Sequence, residues 1–250
     1  MLTFIIQARV GSSRLPNKIL LPFQGEKCIL EIIIEKLKQV ENSNVIIATS
    51  DNPNCDPIET VAKKNGVDCF RGDENDVLKR FVDCAEQFGS KDIIRVCSDN
   101  PFLDLKSIIE LKTLVENIDS PIDYASFLVE GTPSIKTHYG FWTEYVSLPA
   151  LKKVMAMTDE KLYHEHVTNF IYTHPSDFNI KWIEGPECLK DNRNIRLTTD
   201  TADDFCNNQR LFAAIQEEFN NPSIEDVVNY LNSHQEFYVT MIKQIEENSK

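Results

Sequence analysis

Short apolar runs alternate with amphipathic helical patterns through the first half of the chain, and this rhythm restricts the fold more than any other feature. Residues 2–7 read as a buried strand, and residues 29–40 place apolar side chains at helical spacing around Glu31, Glu35, Lys36 and Lys38. Residues 44–49 read as a second strand, and 57–65 as a helix closed by Gly66. A third strand is expected over 67–70, a helix over 76–88, a fourth strand over 92–97 and a further helix over 105–117. Strands joined by helices in this way build a mostly parallel sheet with helices on both faces, a three-layer α/β sandwich of Rossmann-like type. Ligands of such sheets bind beyond the carboxyl ends of the strands. The loops 8–18, 50–56, 71–76 and 98–104 are therefore expected along one rim.

The rhythm changes after residue 120. Strands are expected over 124–136, 139–145 and 179–184, with helices over 148–156 and 164–172 between them. We read 120–195 as an excursion from the main sheet within a single domain of 1–250. Residues 196–199 read as a return strand ending at Asp200, followed by closing helices over 202–219 and 224–232. Residues 236–250 are polar and partly helical.

Composition narrows the function. The formal net charge is −13, which disfavours binding to a nucleic-acid backbone, because that needs clustered Lys and Arg. The seven cysteines include no C-x-x-C pair, so a structural zinc site is not expected. Their odd number, with no secretory pattern before them, points to reduced thiols in the cytoplasm. No apolar stretch has membrane-spanning length, so no membrane insertion is expected.

Against this acidic background the loop after the first strand stands out. It reads Gln7-Ala8-Arg9-Val10-Gly11-Ser12-Ser13-Arg14-Leu15-Pro16-Asn17-Lys18. Small residues let backbone N–H groups approach an anion, Arg offers a bidentate fork, and Lys offers a point charge. The loop matches neither G-x-x-x-x-G-K-[ST] nor G-x-G-x-x-G. By composition it binds an anion or is an ordinary solvated loop.

The order of residues goes further. The stretch from Ile5 to Lys18 closely resembles the opening of the cytidylyltransferases that activate sugar acids, acylneuraminate and 3-deoxy-manno-octulosonate among them, and most of all their spore-coat polysaccharide branch. The resemblance continues at Ala48-Thr49-Ser50-Asp51, at Phe70 to Leu78, at Ser98-Asp99-Asn100-Pro101, at Glu165-His166-Val167-Thr168 and at Leu197 to Phe205. It implies a nucleotide-diphospho-sugar transferase fold. It also implies a reaction in which a sugar hydroxyl attacks the α-phosphorus of CTP and pyrophosphate leaves.

On that resemblance, Arg14, Lys18 and Asp99 are the catalytic candidates. Ala8, Arg9, Gly11, Ser12, Ser13, Ser50, Arg71 and Ser98 are the nucleotide-binding candidates, with a surface turn as the other reading at Arg71; Glu165 and His166 are those for the sugar, with a structural role as the equal reading of the His. Asp99 and Asp200 would hold magnesium, a hard ion that suits carboxylates and phosphates. Bland readings stand beside these. A strand-end Asp often caps a helix, and Asp76 is read so. Ser50 and Asp51 either meet the nucleotide or form a turn. Asp203 and Asp204 read as first-turn acids of the following helix.

The chain departs from the family pattern at three places. Ser98 and Asn100 flank Asp99 in place of Gly and Cys, His164 stands where Arg is common, and Ala202 replaces Pro. His164 and the altered surroundings of Asp99 leave open a phosphorylated acceptor giving a CDP-linked product; a nucleotide-binding partner without catalysis is a third reading, against which Lys18, Asp99 and Asp200 stand. The apolar residues Phe127, Leu128, Val129, Phe141 and Trp142 either pack within the domain or, as the resemblance implies for this region, help form a homodimer.

Overall fold

The computed structural model describes residues 1–248. Positions 249 and 250, the end of the segment expected to be partly helical, lie outside the described residues. The chain opens with β1 (Leu2–Gln7), in which Phe4 and Ile6 face one core and Ile5 the other, as the two-residue period of a strand requires. A hairpin of β2 (Pro22–Gln24) and β3 (Lys27–Cys28) follows, turned at Gly25 with φ +58°, and α1 (Ile29–Leu37) leads to β4 (Ser43–Ser50). Then come α2 (Asp56–Lys64), β5 (Asp68–Gly72), α3 (Val77–Gln87), β6 (Asp92–Cys97) and α4 (Leu105–Asn117). The expected elements of the first half are all present, with ends moved by up to three residues.

β1 pairs in parallel with β4 on one side and with β6 on the other, and β5 joins β4 in parallel. The chain therefore builds outward from β1 to β5 and then crosses to the opposite side of β1. The loops after β1 and β6 part there, which opens a crevice at the carboxyl end of the sheet.

The excursion adds to the same sheet. Its elements are β7 (Tyr124–Val129), β8 (Thr132–Pro133), β9 (Glu144–Ser147), α5 (Leu148–Met157), α6 (Lys161–Glu165), α7 (Asn169–Thr173) and β10 (Ile180–Glu184). The order is β10-β7-β9-β6-β1-β4-β5, with β8 hooked on β7, and β9 runs antiparallel to both of its neighbours. The chain closes with α8 (Ala202–Glu218), α9 (Ile224–Ser233) and α10 (Glu236–Glu247). One apolar core lies under α1, α2, α4 and α8 to α10, and a second lies under α3, α5 and α7 on the other face. No helix among the described residues is long and apolar enough to cross a membrane.

Four expectations change. Residues 124–136 are a short hairpin followed by a 3-10 turn, Ser134–Lys136. Only the end of 139–145 is strand; the residues before it carry Tyr139, Phe141 and Trp142 into the core from an irregular segment. Residues 164–172 belong to two short helices, parted where Thr168 donates its hydroxyl proton to Glu144. Residues 196–199 form no strand, because their amides are divided between two segments: Leu197 donates to the His138 carbonyl at 2.8 Å and Thr199 to that of Asp99 at 3.0 Å. Phe127, Val129, Phe141 and Trp142 are buried within the chain's own core, with Phe127 and Trp142 stacked 5.4 Å apart.

Candidate active site

The loop after β1 folds back on itself: Ser12 N–H and Asn17 N–H both donate to the Val10 carbonyl, at 2.9 and 3.2 Å. Asn17 takes a left-handed conformation, φ 58°, and a 3-10 turn, Lys18–Leu20, then carries the Lys18 stem into the protein. Its ammonium reaches three acceptors: Asp99 Oδ2 at 3.1 Å, Asp200 Oδ1 at 3.1 Å and the Thr199 carbonyl at 2.6 Å. Burial works against the charged form of Lys18, but Asp99 and Asp200 outweigh it and raise its pKa. Residues 81 and 181 positions downstream thus meet on one side chain.

Asp200 is a meeting point for cations. Arg14 approaches the oxygen that Lys18 holds, at 3.1 Å, and Arg196 approaches the other at 3.2 Å. The Arg196 side chain is fully buried, and its Nε donates to Asp204 at 2.7 Å. Asp204 is also the third helical residue of α8, reached by the Thr201 hydroxyl in a capping box. One acid therefore fixes the helix start and the guanidinium that steadies Asp200. The reading of Asp204 as a first-turn acid omitted this second bond.

A cleft of about 340 Å³ opens over this cluster at the β1/β6 switch point. Arg9, Gly11, Ser12, Ser13 and Arg14 form one wall, and Lys18, Asp99 and Asp200 form its floor. Ser98 and His166 also line it, and Ser98 donates to the Gln7 carbonyl at 2.7 Å, tying the ends of β1 and β6 together. The remaining candidates lie apart from the cleft wall. Ala8 is buried, with its N–H engaged by the Ala48 carbonyl at 3.2 Å. Ser50 is buried and accepts from Asn52 N–H at 3.0 Å, which is the turn reading. Arg71 pairs with Asp56 and Glu59 of α2, at 2.6 and 3.1 Å. Glu165 meets Arg9 at 3.4 Å on the rim, where both are half exposed and the pair adds little.

The side chains at the departures are equally defined. Asp76 caps α3, accepting from Lys79 N–H at 2.8 Å, and also contacts His164 Nδ1 at 2.8 Å. His164 Nε2 faces the Thr158 carbonyl at 3.0 Å. His164 is thus committed to joining α6 to α3. It takes no part in the cleft wall.

A buried network beneath the cleft escaped sequence reasoning. Arg95 of β6 donates to Gln7 Oε1 from Nε and Nη2, at 3.1 and 2.9 Å, and pairs with Glu144 of β9. Tyr124 and Thr168 donate to the same carboxylate. Burial and Glu144 hold the Tyr124 pKa well above its ordinary value, so its hydroxyl remains a donor. Single charges inside apolar strands, Arg95 in DIIRVC and Glu144 in EYVS, were the available signal, because a buried charge requires a partner.

The donor set is compatible with magnesium. Asp99 and Asp200 converge closely enough to share one ammonium, so a single cation can serve both. No cluster of three metal-ligating side chains occurs among the described residues. Magnesium does not require one, since it binds through one or two carboxylates with water and substrate phosphates.

A family model described as cytidylyltransferase matches residues 3–248. The chain is 35% identical to the spore coat polysaccharide biosynthesis protein SpsF of Bacillus subtilis, over 81% of this chain and 82% of that one. It is 33% identical to a 3-deoxy-manno-octulosonate cytidylyltransferase of Pectobacterium carotovorum, over 46% and 45% of the two chains. A solved cytidylyltransferase of Leptospira borgpetersenii superposes with a TM-score of 0.81 at 28% identity, covering 95% of this chain and 96% of the other.

Proposed function

The chain belongs to the cytidylyltransferase family, in the branch of the spore coat protein, and from that premise we propose that it transfers CMP from CTP to a small ulosonic-type sugar acid, releasing pyrophosphate. The observation that carries the reading is the convergence of Lys18, Asp99 and Asp200 under the small-residue loop. Gly11, Ser12 and Ser13 let the triphosphate approach the backbone, and Arg14 and Lys18 take the charge that builds on the departing pyrophosphate. Arg9, Ser98 and His166 complete the nucleotide and sugar contacts of the cleft. Held by Asp99 and Asp200, magnesium would supply neutralisation of charge at the reacting phosphate. The protein's own part is to hold nucleotide and acceptor in line, which is most of the catalysis such a transfer needs.

A sugar acid fits better than a phosphorylated acceptor. A hollow of about 150 Å³ adjoins the cleft across Asp99 and Asp200. Its lining includes Arg14 as the one guanidinium beside the three carboxylates of Asp99, Glu144 and Asp200. A phosphate dianion would meet more repulsion from these carboxylates than the single charge of a sugar acid does. The name of the Bacillus subtilis relative supports a role in surface polysaccharide synthesis, which we place in the cytoplasm. We also place a homodimer contact on residues 120–195, where Met157 and Leu162 are exposed, 44% and 52%. Light scattering at micromolar concentration tests it, and a monomer mass rejects it.

The central test is pyrophosphate release with each nucleotide and a panel of ulosonic acids at millimolar magnesium. Turnover with CTP and one acid is expected. No turnover with any combination rejects the reading, and a CDP-linked product from a phosphorylated acceptor replaces it.

A further inference from the structure

The acceptor side of the site contains two polar atoms that the protein leaves unmatched. Asn100 Oδ1 and Thr198 Oγ1 are buried with no hydrogen-bond partner among the described residues. Their residues are 7% and 6% exposed, and both line the hollow beside Asp99 and Asp200. Such atoms cost stability, so a fold that retains two in one hollow has a use for them. Asn100 is also one of the positions where the chain departs from the family pattern.

The surroundings define the complementary group. Glu144 is already matched by Arg95, Tyr124 and Thr168, and Asp200 by Lys18, Arg14 and Arg196. Ile135 and Trp142 supply apolar surface. The Trp142 indole N–H is taken by Ser107 at 3.2 Å. What remains unmet is an amide carbonyl that needs a donor and a hydroxyl that both donates and accepts. An apolar substituent would leave both unmet, and an anion would meet the carbonyl oxygen and the carboxylates unfavourably.

We propose that Asn100 and Thr198 are acceptor-specificity residues that read an uncharged hydrogen-bonding substituent, a sugar hydroxyl or an acylamino N–H, in the hollow that adjoins Asp99 and Asp200. The assignment rests on the reading of the chain as a sugar-acid cytidylyltransferase. It explains why the hollow is polar yet holds little positive charge. It also gives the Asn at position 100 a task that a Cys there could not perform, since a thiol is only a weak donor and acceptor.

Asn100→Leu and Thr198→Val remove the polar atoms at nearly constant volume, and Thr198→Ser keeps the hydroxyl. Pyrophosphate release is measured with 3-deoxy-manno-octulosonate and N-acetylneuraminate as acceptor probes. Wild-type protein should turn over at least one. Asn100→Leu and Thr198→Val should each lower kcat/KM for that acceptor about tenfold or more. Their KM for CTP should stay within about twofold, Thr198→Ser should retain most activity, and the melting temperatures should hold or rise. Asn100→Ser, smaller and still polar, carries the same kcat/KM expectation where Asn100→Leu does not fold. Unchanged acceptor kcat/KM in an active enzyme, with a raised melting temperature, would show two merely unsatisfied core groups and overturn the assignment. An inactive wild-type protein overturns the functional reading itself, and this assignment with it.

Discussion

The ammonium of Lys18 lies 3.1 Å from the Asp200 oxygen that Arg14 also approaches at 3.1 Å, so two cations from one loop hold one carboxylate. Lys18→Met keeps the buried stem and deletes the charge. Pyrophosphate release should fall on the order of a hundredfold. The melting temperature should also fall at neutral pH, because Asp99 and Asp200 lose a shared counter-ion. A variant within threefold of wild-type turnover would remove Lys18 from the machinery.

His164 has acceptors at both ring nitrogens, Asp76 at 2.8 Å and the Thr158 carbonyl at 3.0 Å. Only the imidazolium can donate to both. Partial burial opposes that charge, but the Thr158 carbonyl and Asp76 outweigh it and raise the pKa above 6.5. A raised pKa means that folded protein holds the proton more tightly than unfolded protein does. The stabilisation is therefore complete below pH 6.5 and is lost as pH rises through the folded value. Melting temperatures of wild-type and His164→Leu proteins should differ most near pH 5.5 and least near pH 8.5. An NMR titration of the ring that places its pKa below 6.5 would contradict this.

Arg196 and Asp204 form a pair whose side chains are 0% and 2% exposed. Asp204→Ala leaves the buried guanidinium with Asp200 as its remaining carboxylate and strips α8 of its capping box. Breaking a buried pair from one side costs about 3–5 kcal/mol, a loss that urea denaturation would resolve. A change below about 1 kcal/mol would mean that Asp200 alone is enough to hold Arg196.

Gln244 of α10 is 3% exposed, and its Oε1 accepts from the Thr201 hydroxyl at 2.8 Å. Thr201 follows Asp200 and begins α8. Four residues beyond Gln244, Asn248 accepts from Arg14 Nη1 at 3.2 Å. Gln244→Leu should lower kcat several-fold to tenfold while KM for CTP changes less, since small misplacements of charged groups are costly. Equal effects on both, tracking a loss of folded protein, would reduce Gln244 to a packing residue.

Local pattern reveals local structure. The runs at 2–7 and 92–97 identify themselves by β-branched and apolar side chains, and the 8–18 loop by small and basic ones. Residues 139–145 misled because aromatics favour strands, whereas here Phe141 is held by its carbonyl accepting from Asp104 N–H at 2.8 Å. The helix expected over 164–172 carries a suitable pattern throughout, and a tertiary bond from Thr168 to Glu144 breaks it. Asp99 and Asp200 were legible only through motifs in family register. Partnerships such as Arg95 with Glu144, 49 residues apart, and Gln244 with Thr201, 43 apart, follow from how the chain crosses the sheet, and no periodicity encodes that.

The order in which the site's parts leave the ribosome follows from the seat of Gln244 and Asn248. Arg14 and Lys18 are made first, Asp99 next and Asp200 after it, and the side chains that steady Thr201 and Arg14 come after all of them. A nascent chain carries its anion loop without Asp200, the second acid of the cleft, which is made 182 positions after Lys18. A message cut short before α10 would yield every strand of the sheet and both acids, yet a cleft with two of its restraints missing. Translation itself thereby delays the competent site until Gln244 and Asn248 have been made.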